Sequence, residues 1–132
     1  MEKNIIFKGC RITNCEYKIL DVEDFKGEDG EMSVGVKIGF NKDDDSIAAC
    51  ALSIETNSFS DDEVRSVNVE CIGSFALEGF EELDDDERAD IVRPIAMSTL
   101  YPFIRTYVLN ITNLDAKESP IILPIVNLSK ME

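Results

Sequence analysis

Residues 32–77 alternate. Val34, Val36, Ile38 and Phe40 stand at every second position, with Gly35, Lys37 and Gly39 between them. Ala48, Cys50, Leu52 and Ile54 repeat the pattern, and Val67, Val69, Cys71, Gly73, Phe75 and Leu77 carry it a third time. A period of two puts each apolar set on one face of a strand. Short polar connections separate the three runs, at 42–46 and 57–63. Consecutive strands joined in this way form an antiparallel meander. The chain is thereby confined to folds built on an antiparallel sheet with one apolar face.

The other face of that sheet carries Lys37, Ser53, Asn68 and Glu70, but also Ala49, Ala51 and Ile72. It is neither fully wet nor fully apolar, which points to a second layer supplied by another copy. A further strand precedes the meander, from Phe7 to Ile19. Here Gly9, Arg11, Thr13, Cys15, Tyr17 and Ile19 fall on one side, and Cys10, Ile12, Asn14 and Glu16 on the other. Both sides are mixed, as suits an edge strand or an oligomer seam. Between this strand and the next, 21–31 holds seven charged residues, two glycines and a lone Phe25, and reads as a loop.

After the sheet the period changes. Asp84, Asp85, Asp86 and Glu87 concentrate negative charge where a helix N-terminus favours it. A short helix is expected from there to about Val92, and Pro94 suits the first turn of a second one. From 95 to 114, Ile104, Tyr107, Val108, Ile111 and Leu114 recur at helical spacing, with Leu100, Tyr101 and Phe103 widening the stripe. Pro102 sits inside this run, at a cost of about 3 kcal/mol unless packing supports a kink. Residues 115–119 break the helix, 120–126 run back as an extended segment, and 127–132 allow one or two helical turns. Four strands followed by a long helix packed on them make an α+β chain, read as one domain over 1–132.

The net charge of −14 is unevenly distributed. Residues 94–132 hold three acids and three bases, so the whole excess lies in 1–93. Such a surface repels nucleic-acid backbones and anionic membranes, and suits solubility or a basic partner. No run approaches the roughly 18 apolar residues of a membrane span. The N-terminus lacks the pattern of a signal peptide, so the expected location is the cytosol. Cys10, Cys15, Cys50 and Cys71 show no CxxC spacing and read as reduced core thiols; five apart on a strand, Cys10 and Cys15 are expected on opposite faces.

Chemistry is sparsely signalled. With no histidine, the commonest general base near pH 7 is missing. The acidic clusters at 43–45, 61–63 and 84–87 lack the ligand alternation and terminal glutamate of a calcium loop. Gly73-Ser74-Phe75 lacks the elbow spacing of a hydrolase serine, and Gly73 reads instead as room for a bulge or close packing. No enzyme, cofactor or metal site is expected. Only the wide aromatic stripe is ambiguous. One reading is ordinary core and oligomer interface; the other is a groove for extended apolar segments, with Tyr101, Phe103 and Tyr107 giving adaptable contact.

Several segments together resemble the SecB family, cytosolic chaperones that hold unfolded polypeptides, often for export. Phe7, Arg11 and Ile12 are similar to the family's first strand. Gly73-Ser74-Phe75 resembles its Gly-x-Phe strand end, and 100–105 its aromatic-Pro-aromatic helix. Residues 123–128 resemble its Pro-Val-Asn return segment, with Ile125 in place of a proline. The resemblance implies a four-stranded antiparallel sheet, a long helix, a dimer that pairs into a tetramer, and ATP-independent holding of unfolded clients without catalysis. It implies client grooves near the helix and the first loop, for which Phe25, Phe75, Tyr101, Phe103 and Tyr107 are the candidates. The acidic patch offered to a SecA-type motor ATPase survives as Glu16, while Asn68 stands where a second carboxylate is expected. The family's second helix is nearly absent. The alternative is an oligomeric adaptor, or a dedicated chaperone for one partner such as an unstable antitoxin.

Overall fold

The computed structural model describes residues 2–114 and 119–125. Strands β1 (Asn4–Asp21), β2 (Met32–Phe40), β3 (Ile47–Ser60) and β4 (Glu63–Glu78) precede a long helix, α1 (Asp85–Thr112). The strands form one antiparallel sheet in the order β1-β4-β3-β2. The last three are the expected meander, and β1 closes against the free side of β4. Among the described residues, no helix is long and apolar enough to cross a membrane.

The three alternating sets all face α1. Ala48, Cys50, Leu52, Ile54, Val67, Val69, Cys71 and Phe75 are at most 1% exposed, and they meet Val92, Ala96, Met97, Leu100, Ile104 and Val108 from the helix, all at 0%. Gly73 sets the depth of this contact. A Cβ there would lie 2.5 Å from Cδ2 of Leu100, so only glycine lets the helix seat where it does. The expected close packing at Gly73 is what the structure has.

In β1 the mixed faces resolve through two bulges. The pairing with β4 skips Lys8 and Thr13, and each extra residue reverses the face of everything that follows. Ile5, Phe7, Cys10, Ile12, Cys15 and Tyr17 therefore all turn toward the helix, opposite Leu77, Phe75, Gly73, Cys71, Val69 and Val67. Gly9, just past the first bulge, adopts φ +120°, open to glycine and rarely to other residues. Cys10 and Cys15 thus share a face, where a strictly regular strand would have parted them.

Two other expectations change. The polar stretch 57–63 is not a loop: β3 and β4 stay paired to Ser60↔Glu63, leaving only Asp61 and Asp62 to turn the chain, with Asp61 at φ 51°. Asn57 and Phe59 are polar-bounded strand residues held by the first loop, whose Gly30 N–H donates to Asn57 Oδ1 (3.1 Å) and whose Asp29 Oδ1 accepts from Phe59 N–H (2.9 Å). The acidic start at 84 also begins one continuous helix rather than two. Asp84 and Glu87 form a reciprocal capping box, with Glu87 N–H donating to Asp84 Oδ1 (2.8 Å) and Asp84 N–H to Glu87 Oε1 (3.2 Å). Pro94 and Pro102 both lie inside its 28 residues. Pro102 is tolerated because it lies on the exposed side, as does Ser98, whose carbonyl it deprives of a donor.

Past the helix the chain returns along it. Ile121 and Leu123 are buried. Ile121 N–H donates to Thr112 Oγ1 (2.8 Å), Arg105 Nε to the Leu123 carbonyl (2.8 Å), and the Tyr101 hydroxyl to the Pro124 carbonyl (2.6 Å). The expected extended return segment is present through Ile125. Residue 126 and the C-terminal turn expected over 127–132 lie outside the described residues, as does most of the 115–119 breaker.

Candidate client-binding surface

Aromatic residues gather where β1 passes beside α1. The rings of Phe7 and Phe75 are 5.5 Å apart, and those of Phe7 and Phe103 5.8 Å, tilted by 42° in both pairs. Tilted contacts at such separations suit the ring quadrupoles. Phe75 is sealed beneath, while Phe7 is 36% and Phe103 47% exposed. The result is a step: one buried ring supporting two that are half open to solvent. Phe103 is there because it lies on the helix flank away from the Leu100–Ile104 seam. Phe7 is there because the bulge at Lys8 leaves it in phase with Phe75.

The other candidates lie elsewhere. Tyr101 is buried, its hydroxyl tied to the return segment, and burial pushes its pKa up, with the Arg105 charge opposing. Tyr107 is half-buried and hydrogen-bonds Cys15, whose thiol is pushed up by burial more than this bond draws it down. Phe25 packs edge-on against Phe59, with centroids 5.6 Å apart. That pair belongs to the sheet face opposite the helix: Phe59 stands across from Val64, and Ser33, Glu55, Asn57 and Ser66 of that face line an open groove of about 280 Å³ with Phe25, Lys26 and Gly27. The structure therefore brings Phe75 and Phe103 together through Phe7, keeps Tyr101 and Tyr107 on the less exposed flanks of the helix, and puts Phe25 across the sheet. Composition does not mark Phe7 and Phe59 as members, because bulge and hairpin decide which way they point.

The outer sheet face is divided. Near the start of β1, Ile6, Ala76 and Ile47 stand in one cross-strand row, and Ile72 lies beside Arg11 and Ala51. Ile6, Ile47 and Ile72 are each more than a third exposed. Toward the other end the face turns polar: Asn14, Ser33, Ser53, Glu55, Asn68 and Glu70 border a second open groove of about 350 Å³. Glu16 lies on this face opposite Asn68, and its carboxylate is 3.2 Å from Lys18 Nζ. Glu70 accepts a hydrogen bond from the bulged Thr13 (2.8 Å).

Of the four cysteines, Cys50 and Cys71 are buried and Cys10 and Cys15 half-buried. Cys10, Cys50 and Cys71 adjoin on the helix side, all four cysteines being free thiols. The Cys71 thiol is pushed up to about 12, first by burial and then by its Cys10 and Cys50 neighbours. A thiol so held is not a nucleophile near neutral pH. Among the described residues, no three Cys, Asp or Glu side chains are arranged to hold a metal.

No protein-family model matches the chain, and no curated protein does. Solved structures do. A SecB-like chaperone from Mycobacterium tuberculosis, in complex with a ChAD peptide from the HigA1 antitoxin, superposes with a TM-score of 0.73 at 17% identity, over 92% of this chain and 89% of that one. A protein of unknown function from Streptococcus agalactiae matches with a TM-score of 0.51 at 10% identity, over 95% of this chain and all of that one. At such identities the likeness is one of architecture, and the architecture is clear: a four-stranded antiparallel sheet followed by one long helix, in a SecB-like fold.

Proposed function

We propose that the protein is a holding chaperone that binds extended, unfolded segments of other polypeptides by apolar contact, without ATP and without catalysis. The observation that carries this reading is the aromatic step on a SecB-like fold: Phe7 and Phe103 half exposed above buried Phe75. Rings offer large contact area with little demand on the sequence they meet, which is what binding many unfolded chains requires. Phe75 and Tyr101 act as supports, one beneath Phe7 and one anchoring the return segment. Tyr107 flanks them, and the Phe25–Phe59 pair gives a second apolar foothold on the far face. The charge of −14 keeps a loaded complex soluble by repulsion between copies.

Two further assignments go with it. Copies of the chain assemble, as a dimer of dimers, supported by the half-apolar outer face around Ile6, Ile47 and Ile72. The four free thiols suit a reducing compartment, the cytosol. Delivery to a SecA-type motor through Glu16 has weaker support, since Lys18 engages that carboxylate and Asn68 faces it.

A dedicated chaperone for one partner is the second reading, favoured by the antitoxin peptide bound to the mycobacterial neighbour. Aggregation assays with several unrelated unfolded proteins separate the two. Broad suppression supports the general holder, and protection of a single partner supports the dedicated one. Phe7→Ser and Phe103→Ser should lower capacity several-fold while melting temperature changes little. Variants that stay folded and hold clients undiminished would remove the aromatic step from the site.

A further inference from the structure

β2 is an outer strand of the sheet, and it pairs with β3 over all nine residues without a register shift. At the hairpin, the Asn41 N–H donates to the Ile47 carbonyl at 3.1 Å. Residues 41 and 47 are therefore a bonded pair, and antiparallel ladders alternate bonded with non-bonded pairs. Counting by twos, Gly39, Lys37, Gly35 and Ser33 direct their N–H and C=O groups to β3. Met32, Val34, Val36, Ile38 and Phe40 direct theirs outward, away from the sheet. Among the described residues, nothing hydrogen-bonds the outward groups of Val34, Val36 and Ile38.

The same three side chains point to the helix side and are only half buried against the core. A strand laid beside them would continue the apolar layer. Exposed edges are commonly guarded by proline, by bulges or by repeated charge. β2 has no proline and no bulge, and its one charged residue, Lys37, faces the other side. β1, at the opposite edge, is broken by two bulges. Acidic loops border both ends of β2, with Glu28, Asp29 and Glu31 before it and Asp43, Asp44 and Asp45 after it. Of these, Asp45 is engaged by Arg88 at 3.0 Å, while Asp29, Glu31 and Asp44 accept hydrogen bonds from Phe59, Glu28 and Ser46 and keep their charge.

We propose that the β2 edge takes up an extended segment of a partner polypeptide as a fifth strand, antiparallel to β2 as the other strands are to their neighbours. Its main chain bonds to Val34, Val36 and Ile38, its alternate apolar side chains extend the helix-side layer, and basic residues at its ends meet the two acidic loops. This rests on the reading that the protein holds extended polypeptide, and names how part of the hold is made. Main-chain bonding is indifferent to side-chain identity, so it adds affinity without narrowing the range of clients.

The test uses the full chain and a peptide of alternating valine and threonine with lysine at each end. Saturating peptide should slow amide hydrogen exchange at Val34, Val36 and Ile38 by about tenfold or more. Valines turned to the helix side direct their own N–H groups at β2, so N-methylating them should weaken binding by about tenfold or more. Val36→Pro removes an outward donor while sparing the ladder to β3, and should weaken binding similarly. If it fails to fold, the methylated peptide still decides. Peptide that binds with unchanged exchange on β2, or that binds equally when methylated, overturns the edge assignment and leaves the chaperone reading standing. Amides already protected in the free protein overturn it too, because a second copy then occupies the edge. If neither the peptide nor any unfolded protein binds, both readings fall.

Discussion

Replacing Gly73 by alanine tests how the helix is seated. The added Cβ would stand 2.5 Å from Leu100 Cδ2, and 3.3 Å from both Leu100 Cδ1 and Phe75 Cε2. The first of these is about 1–1.5 Å inside ordinary carbon contact, taken as about 3.5–4 Å. Leu100 is fully enclosed, so its methyl cannot swing into solvent. Either the side chain leaves its rotamer or α1 lifts from the sheet, at about 1–3 kcal/mol. With a urea slope of about 2 kcal/mol/M, a mid-range loss moves the midpoint down by about 1 M. Leu100→Ala alone should cost about 2–5 kcal/mol through the void it leaves. The double variant is the decisive one: with the leucine methyls gone, a Cβ at 73 has only the 3.3 Å approach to Phe75 Cε2 to relieve, and it also rids the strand of a glycine. Gly73→Ala should then be close to neutral, a coupling of about 1–2 kcal/mol measured by urea unfolding of the four proteins. Equal cost of Gly73→Ala in both backgrounds would refute the claim that Leu100 is what Gly73 accommodates.

Other outcomes follow from single contacts. Asp84→Ala removes the acceptor of the capping box and should cost about 1 kcal/mol, read from thermal or urea unfolding, whereas Asp85→Ala, with no such bond, should cost less. Tyr101→Phe should cost about 1 kcal/mol and raise amide exchange at Ile121 and Leu123, because the hydroxyl bond to the Pro124 carbonyl is lost. Cys71 sets an alkaline limit. Its thiol titrates near 9 when unfolded and near 12 in the fold, so its contribution to stability is complete below pH 9 and is lost as pH rises toward 12. Cys71→Ala should flatten that alkaline decline, and labelling of the wild type by a maleimide at pH 7 should spare Cys71 and Cys50.

The sheet was readable wherever alternation was unbroken. Three sets of apolar residues, from Val34 to Leu77, identified three strands, their shared face and their order, because the side-chain period of a strand is a direct consequence of its pleat. The strand before them was recognisable but not its orientation. Lys8 and Thr13 carry no mark of being unpaired, and without them Phe7 and Ile12 cannot be assigned to one face. The hairpin at Asp61 is masked by the serines and asparagine around it, which are strand residues here because β4 pairs with them and the first loop bonds Asn57 and Phe59. Pro94 reads as the start of a helix because a proline is most at ease there; the capping box at Asp84 and the enclosed row Val92, Ala96, Met97 outweigh its cost. The candidate site was legible at Phe103 and Phe75 and unreadable at Phe7, whose exposure depends on the bulge beside it.

That bulge and its companion have a further consequence. Omit Lys8 and Thr13 from the sequence and β1 becomes a plain alternating strand, Ile5, Phe7, Cys10, Ile12, Cys15 and Tyr17 each two steps from the next. Every side chain would keep its present side, since a bulge residue is the one without an opposite number. What would go is the irregularity of a very long border, and a chain shortened by those two residues would offer other molecules an unbroken ribbon to zip onto. The shorter protein would be simpler to decipher and harder to keep in solution.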